Sequence, residues 1–484
     1  KNHFEGDEKS NPSDSYNLRY QGNVYAARNW KIGFGVNYNN SFDGGYAYHA
    51  VDSLKANRYT VNFNTPSSYN RDLLSSYLNL KKNGRKMAFN SVTSYSWTKD
   101  KQMLDADFTY LDVFDNNKKS RQNLVTQELN LQSITGKKLD WTVGTFGFYK
   151  DLTNNYLATF GADKEYLLPM ALDKAKYFNN TTTWGIAGYG QLTWNDLLPG
   201  LSLTAGIRYD YEKADLTYID SLLFTGSSHY KEYHDAKNGK GFKSWLPKFS
   251  LLQKWNDNFS HYLSISKGYK AGGYNIIVNE MSSQLVNLGY DEEKLWNYEI
   301  GMKYFSPDKK FNLNAAVFYI DWKDQQIFVM GMMGPSLKNA GDARSIGGEL
   351  DLQWEFIPNL TYLLSAGYSN AKYYHHLTPE YEGNHIVMAP EFTGNTGLSY
   401  RKTVKASWFR SFAASTTVTG FGTQYFDEAN LLKQDPYFLW NLDFSISGKY
   451  IDFHVWGKNI LDKAFFTYML NNPVGEKLPQ YFNM

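Results

Sequence analysis

Strand-like segments recur in pairs along this 484-residue chain, and two kinds of connection join them in turn. Within a pair the connection is a turn of a few residues, whereas the connection between pairs is long, polar and rich in aromatic side chains. Because the two kinds alternate, all the long connections emerge at one end of an up-and-down antiparallel sheet. The short connections are Ala27 to Asn29, Asn83-Gly84, Thr135 to Lys138, Asn195 to Gly200, Asn256 to Asn258, Ser306 to Lys309, Ile357 to Asn359, Thr403 to Lys405 and Gly448-Lys449. The long connections are roughly 41–72, 99–122, 152–182, 213–241, 269–294, 323–341, 373–389 and 421–435.

Each of the clearest strands has one apolar and one polar side. In Leu201–Tyr211 the leucine, alanine, isoleucine and tyrosine side chains alternate with Ser, Thr, Gly, Arg and Asp, and Leu350–Phe356 and Leu442–Ile446 show the same pattern. Successive side chains of a strand point to opposite faces of the sheet, so a period of two gives each strand one apolar face.

The length and number of the strands favour a transmembrane barrel. Segments such as Trp30–Asn40, Met87–Trp97 and Leu360–Ser369 have about ten residues or more, which is the length that a tilted strand needs to cross a bilayer. About eighteen such segments are present. In hydrocarbon every backbone polar group must be paired within the protein, and closing the sheet removes unpaired edges. The sequence therefore predicts an all-β fold, a large antiparallel transmembrane β-barrel with its apolar faces turned to lipid.

Composition agrees with this fold. The chain is 42% hydrophobic and 17% aromatic, yet its mean hydropathy is −0.54, and no run approaches eighteen apolar residues, which argues against a transmembrane helix. The net charge of +2 gives no electrostatic case for nucleic acid as a partner, and the absence of cysteine excludes disulfides and thiolate metal sites. Several tryptophans near strand ends suit the membrane interface: Trp97, Trp141, Trp184, Trp194, Trp255, Trp322, Trp354 and Trp440.

Several segments, in this order and spacing, resemble the TonB-dependent outer-membrane receptors, especially the branch associated with ferric siderophores. The segments that carry the resemblance are Gln127–Leu131, Leu203–Tyr209, Ser264–Asn275, Leu295–Lys303, Asn314–Gln326, Asn339–Leu350 and Val455–Lys463. The resemblance covers most of the chain from about residue 87 onward.

The resemblance implies a 22-stranded barrel whose lumen is filled by an N-terminal plug. We therefore expect residues 1–484 to form one barrel domain, with the plug, about three strands at the start and one at the end missing. The implied function is active import of a scarce nutrient, foremost a ferric siderophore, across the bacterial outer membrane. The implied partners are a TonB-type energising protein, which contacts the plug, and outer-membrane lipid and lipopolysaccharide.

Other functions remain open at this point. A passive porin-like channel or a surface-binding or structural barrel would share the fold, and cobalamin, haem or oligosaccharide are alternative cargoes. We expect no enzymatic activity and no cofactor, because the chain shows no nucleophile-elbow, zinc-protease or phosphate-loop spacing.

Two groups of loop residues have metal-binding chemistry but a simpler explanation. Adjacent side chains of an extended segment point in opposite directions, so His375 and His376 are expected to be solvated loop residues and not a shared iron or haem site. The acidic stretch Asp105, Asp107, Asp112 and Asp115 is expected to be a solvated external loop, although it has the oxygen ligands that a cation would need. We predict no metal site.

Charged residues on the polar faces are expected to line the lumen and to dock the plug through paired charges and hydrogen bonds. These are Glu128, Arg208, Asp210, Glu299, Lys303, Glu349, Asp351, Asp443 and Lys458. Direct substrate contact is the alternative role.

Ligand contact is expected from the loops at the mouth of the barrel, whose aromatic rings can stack and whose cations can pair with an anionic chelate. The candidates are Tyr46, Tyr48, Lys270, Tyr274 and Tyr373.

Overall fold

The structure is a computed structural model that describes residues 12–27, 29–45, 48–50, 63–134, 138–166, 171–277, 288–331, 334–404, 408–470 and 481–483. Over these residues it contains twenty-five strands and two short 3-10 turns, Lys164–Tyr166 and Pro379–Tyr381. The strands are β1 Ser13–Ala27, β2 Trp30–Gly44, β3 Tyr48–Ala50, β4 Ser68–Asn83, β5 Met87–Asp105, β6 Phe114–Ser133, β7 Leu139–Phe160, β8 Leu172–Leu198, β9 Leu201–Phe224, β10 Lys231–Lys254, β11 Phe259–Lys270, β12 Gly273–Tyr274, β13 Gly289–Tyr290, β14 Glu293–Phe305, β15 Phe311–Gly331, β16 Gly334–Ile357, β17 Leu360–His376, β18 Phe392–Thr403, β19 Phe409–Phe421, β20 Gln424–Tyr425, β21 Lys433–Gln434, β22 Tyr437–Gly448, β23 Asp452–Gly457, β24 Tyr468–Leu470 and β25 Tyr481–Asn483. Within the described residues, no helix has the length and apolar character needed to span a bilayer.

Eighteen of these strands form one antiparallel sheet, in which each strand pairs with the next one along the chain. They are β1, β2, β4 to β11, β14 to β19, β22 and β23. The prediction of about eighteen antiparallel strands is confirmed.

The two ends of this sheet are brought together at the loop end. In the described residues β1 and β23 share no ladder, but β3 lies in the connection from β2 to β4 and pairs with β25. Strand β25 also pairs with β24, which follows β23 along the chain. The sheet is therefore curved enough to bring its first and last strands to the same side.

The short connections all lie at one end of the sheet, as the sequence predicts. Residues 199–200 join β8 to β9, residues 306–310 join β14 to β15, and residues 358–359 join β16 to β17. Asn359 and Gly200 adopt positive φ angles of 69° and 73°, which a tight turn requires.

The predicted extent of four long connections is wrong, because the strands continue far into them. The connection from β5 to β6 is reduced to residues 106–113, that from β7 to β8 to 161–171, that from β9 to β10 to 225–230 and that from β15 to β16 to 332–333. Strand β8 has 27 residues, far more than a bilayer requires. These connections are mostly paired strands that rise beyond the membrane as hairpins.

Strand β9 shows why the hairpins remain folded outside the membrane. In its first half the apolar side chains share a face with Ile207, which is 51% exposed. From Ala214 onward the apolar side chains are on the opposite face, where Leu216, Tyr218 and Leu222 are buried. This change of face is what a transmembrane barrel requires, because lipid surrounds the lower part of each strand and water surrounds any part that extends beyond the membrane.

The buried face of the hairpins forms an apolar core above the lumen. It joins Phe114 of β6, Tyr156 of β7, Tyr177 of β8 and Tyr218 of β9 with Ile277 from the connection that follows β11. Trp322 contributes to a second cluster, with Tyr373 and Ile386, so its predicted place at the lipid interface is wrong. Trp322 has the opposite parity on β15 from the exposed Val317, so its ring faces the interior of the barrel, where its neighbours are apolar.

Candidate functional site

Two faces of the sheet can be assigned from exposure and register. Ile207, Ile300, Val317 and Ile346 are 51–56% exposed, and Ile300 and Val317 are ladder partners, so we call their side the outer face. The opposite side is the lumen face. Eight of the nine charged residues predicted to line the lumen have alternation that places them there: Glu128, Arg208, Asp210, Glu299, Lys303, Glu349, Asp351 and Asp443. Lys458 follows the end of β23 and belongs to no strand.

The best-connected part of the lumen face lies on β6 to β9. The Arg208 guanidinium donates two hydrogen bonds to the Asp210 carboxylate, with Nε–Oδ2 at 2.7 Å and Nη2–Oδ1 at 2.6 Å. It also lies 5.8 Å from the ring centre of Tyr189 and 5.9 Å from that of Phe146, within the range of cation–π attraction. Arg208 and Asp210 are two positions apart on β9, so the strand itself holds the pair on one face.

Tyr189 connects this pair to Glu128. Its hydroxyl donates to Glu128 Oε1 at 2.8 Å and accepts a hydrogen bond from Asn130 Nδ2 at 3.0 Å. To do so, the ring crosses β7 at Gly144, where any Cβ would collide with it. Tyr189 thus contacts both the Glu128 carboxylate and the Arg208 guanidinium on the lumen face, where charged groups can make charge-assisted contacts with whatever occupies the lumen.

A second lumen tyrosine uses the same arrangement. Tyr262 lies over Gly301, its ladder partner, and donates to Glu299 Oε1 at 2.6 Å. Neither tyrosine was predicted from the sequence as a lumen residue. For Tyr189 a signal was available, since it alternates with the exposed Ile186 and Leu192 and so belongs to the polar face.

The remaining lumen carboxylates line two shallow cavities. Asp351 accepts a hydrogen bond from Ser365 Oγ at 2.7 Å and borders, with Glu349, a cavity of about 300 Å³. Asp443 Oδ2 lies 2.5 Å from His454 Nε2, and both line a cavity of about 420 Å³ that Lys458 also borders. Neither cavity is enclosed, so both suit contact with another protein surface better than retention of a small molecule.

Of the five loop residues proposed to contact ligand, the four that the structure describes have different surroundings. Tyr46 lies outside the described residues, Tyr48 packs 4.5 Å from the ring of Phe108, and Lys270 is exposed. Tyr274 packs against the apolar core of the hairpins, and Tyr373 is 1% exposed. In this arrangement Tyr373 is part of the loop interior, whereas Lys270 is accessible to a ligand.

The two adjacent histidines point apart, as expected for an extended segment. The His376 side chain is 3% exposed and its Nε2 lies 3.4 Å from Glu428, whereas the His375 side chain is 67% exposed and pairs with Glu382 at 3.2 Å. The expectation that both are solvated is wrong for His376, which joins the connection after β17 to the connection after β19. Among the described residues, no group of three or more His, Cys, Asp or Glu is arranged to hold a metal ion.

The acidic stretch is not a solvated loop either, because two of its carboxylates are buried. Asp105 accepts hydrogen bonds from the backbone of Asn64 and Phe108, and Asp107 accepts them from Thr109 and Phe114. Burial and the neighbouring Asp107 raise the pKa of Asp105 to about 8. These carboxylates organise the turn between β5 and β6, and satisfied backbone donors explain their burial without a cation.

Comparisons with known proteins show which family has this fold. A family model described as TonB dependent receptor-like, beta-barrel, matches residues 2–460. The pesticin receptor of Yersinia pestis is 24% identical over 445 residues, covering 91% of this chain and 61% of the relative. The chain thus spans about three fifths of the length of the curated relatives it matches.

Two solved structures share the architecture closely. The ferric yersiniabactin uptake receptor FyuA from Yersinia pestis superposes with a TM-score of 0.81 at 20% identity, covering 97% of this chain and 68% of that one. The siderophore receptor PiuA from Acinetobacter baumannii gives 0.74 at 14% identity, covering 98% and 73%. At these identities the likeness shows the fold. With the family match over nearly the whole chain, it follows that this protein belongs to the TonB-dependent receptor-like β-barrels of the bacterial outer membrane.

Proposed function

We propose that this chain forms the barrel of a TonB-dependent transporter that imports a ferric siderophore across the outer membrane. The observation that carries the proposal is the connected polar network on the lumen face, from Glu128 through Tyr189 to Arg208 and Asp210, in a barrel of this family. FyuA is described as a ferric yersiniabactin uptake receptor and PiuA as a siderophore receptor, and these descriptions support a siderophore-type cargo.

The lumen face would dock a plug domain of the kind the family resemblance implies. Six of the nine charged residues predicted there are carboxylates, so the docking surface of the plug should be rich in Arg and Lys. Plug rearrangement driven by a TonB-type energising protein would then open the path, while outer-membrane lipid and lipopolysaccharide contact the outer face. The barrel would act as a rigid frame and not as an enzyme.

Uptake in iron-limited cells tests the proposal. Deleting the gene should abolish accumulation of radioactive iron supplied as the cognate ferric siderophore, and the whole gene on a plasmid should restore it only in cells with an active TonB system. Iron supplied as a chelate that enters by another receptor is the matched control, and its uptake should not change.

Three results would favour other functions. Unchanged siderophore uptake together with loss of cobalamin, haem or oligosaccharide uptake would reassign the cargo. Steady, large conductance of the full-length protein in planar bilayers would indicate a passive porin. Unchanged uptake of all these cargoes together with loss of surface attachment would indicate a binding or structural barrel.

A further inference from the structure

The lumen face of β17, β18 and β19 is made of small, uncharged side chains. Asp351 on the lumen face is the ladder partner of Ser365, and the register leads from there across β18 to β19. Twelve lumen positions at this level are Thr361, Leu363, Ser365, Gly367, Thr393, Asn395, Gly397, Ser399, Ala413, Ser415, Thr417 and Thr419. None of the twelve carries a charge or an aromatic ring, and we call this surface the neutral wall.

The lumen face of β6 to β9 at a similar height is bulky and charged. Glu128 lies five residues before the end of β6, and Ser365 lies five residues after the start of β17, both measured from a short turn. Twelve lumen positions at this level are Thr126, Glu128, Asn130, Gly144, Phe146, Phe148, Gly185, Ala187, Tyr189, Arg208, Asp210 and Glu212. Four of these are charged and three are aromatic, and we call this surface the charged wall.

The two walls should hold a plug with different strength. On the neutral wall the hydrogen bonds join hydroxyl and amide groups, such as Thr419 Oγ1 to Asn395 Oδ1 at 3.1 Å. Hydrogen bonds to ionised groups are roughly twice as strong as those between neutral groups, and an ionised group left without a partner costs more. Water replaces a neutral partner with little net loss. A plug that rests on both walls therefore separates more easily from the neutral wall.

The neutral wall is also recessed. The cavity of about 300 Å³ described above is lined by Ser365, Asn395 and Thr419, and the cavity of about 420 Å³ is lined by Ser415 and Thr417. Both cavities are open to the lumen side of the sheet. Small side chains thus leave space between this wall and whatever fills the lumen.

We propose that the cargo crosses the lumen along the neutral wall, between the plug and strands β17 to β19, while the plug stays docked on the charged wall. The inference rests on the proposed function, because it assigns the transport step to one side of the lumen. Hydroxyl and amide groups can exchange hydrogen bonds with a polar chelate and with water as the chelate passes. Transport needs such contacts to be weak enough to release the cargo, and a wall without charges provides this.

Single cysteines in the full-length protein test which wall is exposed during transport. This chain contains no cysteine, so an introduced one can be followed, and the unmodified protein gives the background. Thr417 and Thr126 are half-buried lumen residues, eight residues after the start of β19 and seven before the end of β6. The probe is the ferric siderophore whose uptake the gene deletion abolishes.

The expected result is a difference between the two cysteines. In cells with an active TonB system, the ferric siderophore should raise the rate at which a small external maleimide labels Thr417→Cys several-fold. Labelling of the matched control Thr126→Cys should not change. Without an active TonB system the siderophore should change neither rate, because the plug then stays in place.

Obstruction of the neutral wall gives a second measurement. Thr417→Trp should slow uptake of the ferric siderophore several-fold because the indole narrows the path, whereas Thr417→Ser should import like wild type. Binding of the ferric siderophore to the surface of cells without TonB activity should be the same for both variants and wild type. This comparison separates obstruction from misfolding and from loss of ligand capture.

Equal increases in labelling at the two cysteines, or an increase at Thr126→Cys alone, would overturn the assignment of the path. Normal uptake without an increase at Thr417→Cys would do so as well, as would wild-type uptake by Thr417→Trp. These results leave the proposed function intact, because the cells still import the siderophore. Absence of siderophore import by the wild-type protein would instead overturn the proposed function, and this inference with it.

Discussion

Tyr189 reaches the carboxylate of Glu128 across an intervening strand, and a glycine makes this possible. At Gly144 the ring passes so close to the backbone that a methyl group would collide with it. The Tyr189 hydroxyl thus holds the Glu128 carboxylate in position, and Gly144 on the strand between them leaves room for the tyrosine ring. In the same way Gly301 lets Tyr262 approach Glu299.

The assignment of faces makes a prediction at single residues. Leu352 is the ladder partner of Leu313 and Leu364 on the outer face, whereas Asp351 points into the lumen and accepts a hydrogen bond from Ser365. Leu352→Arg should destabilise the inserted barrel by about 2–4 kcal/mol, as expected for a cation near the bilayer midplane. Asp351→Asn should have a far smaller effect. Urea unfolding in lipid vesicles measures both, and equal effects would contradict the assignment.

Residue alternation predicted these faces well but could not predict which residues meet across strands. Arg208 and Asp210 are two residues apart, so their common face follows from the sequence. The contact of Tyr189 with Glu128 depends on the register of three strands, which the short turns alone do not determine. For the same reason the burial of Tyr373 under the connection after β17 was not predictable.

The long strands have a lower part in lipid and an upper part in water, and these two parts need their apolar side chains on opposite faces. In β9 the apolar side chains move from the face of Ile207 to the face of Leu216 and Tyr218 where the strand leaves the lipid. The upper part was predicted to be loop, because the polar residues on its outer side and the change of apolar face both interrupt the alternating pattern. The hairpins can be recognised in the sequence where the apolar positions of a strand change from odd to even residue numbers, as they do in β9.

The turn from β5 to β6 should respond to pH through Asp105. Burial and Asp107 raise its pKa from the ordinary value of 3.8 to about 8, so the folded turn holds a proton that the unfolded chain has released. This stabilisation is complete below the unfolded pKa and is lost as the pH rises through about 8. Protection of residues 106–113 from amide exchange, corrected for the intrinsic pH dependence, should therefore be lower at pH 9 than at pH 6.

Two variants separate this effect from general alkaline loosening. Asp105→Asn should remove the pH dependence of protection in this segment. Asp112→Asn, at an exposed position in the same turn, should leave it unchanged. Identical pH profiles for wild type and Asp105→Asn would show that another group controls the turn.

The molecule combines a lumen wall rich in carboxylates with loop hairpins that have their own apolar cores. The number and antiparallel order of the strands followed from the alternating connections, because those depend on local sequence. The apolar cores of the loop hairpins could not be predicted from the sequence, because Phe114, Tyr218 and Ile277 are distant in the sequence and meet only in the folded barrel.

Plug docking by the lumen wall can be tested on the whole protein. Glu128→Gln/Arg208→Gln/Asp210→Asn should assemble like wild type, because these residues face away from lipid, but it should hold the plug less firmly. We expect a several-fold rise in steady conductance in planar bilayers. Lys243 is exposed and lies two positions before Trp245, which is 59% exposed on the outer face of β10. The control Lys243→Gln should therefore remain closed, and a closed triple variant would show that these charges do not dock the plug.

The pairing of each strand with its neighbour in sequence has a consequence for biogenesis. Each strand of the large sheet can pair with the strand that precedes it as soon as it is made. The sheet can therefore grow one strand at a time, and each addition costs little chain entropy because the paired segments are close in sequence. The contact of β3 with β25 joins segments that are far apart in the sequence. This contact cannot form until both segments have been made and brought together, so it should form later than the ladders between neighbouring strands.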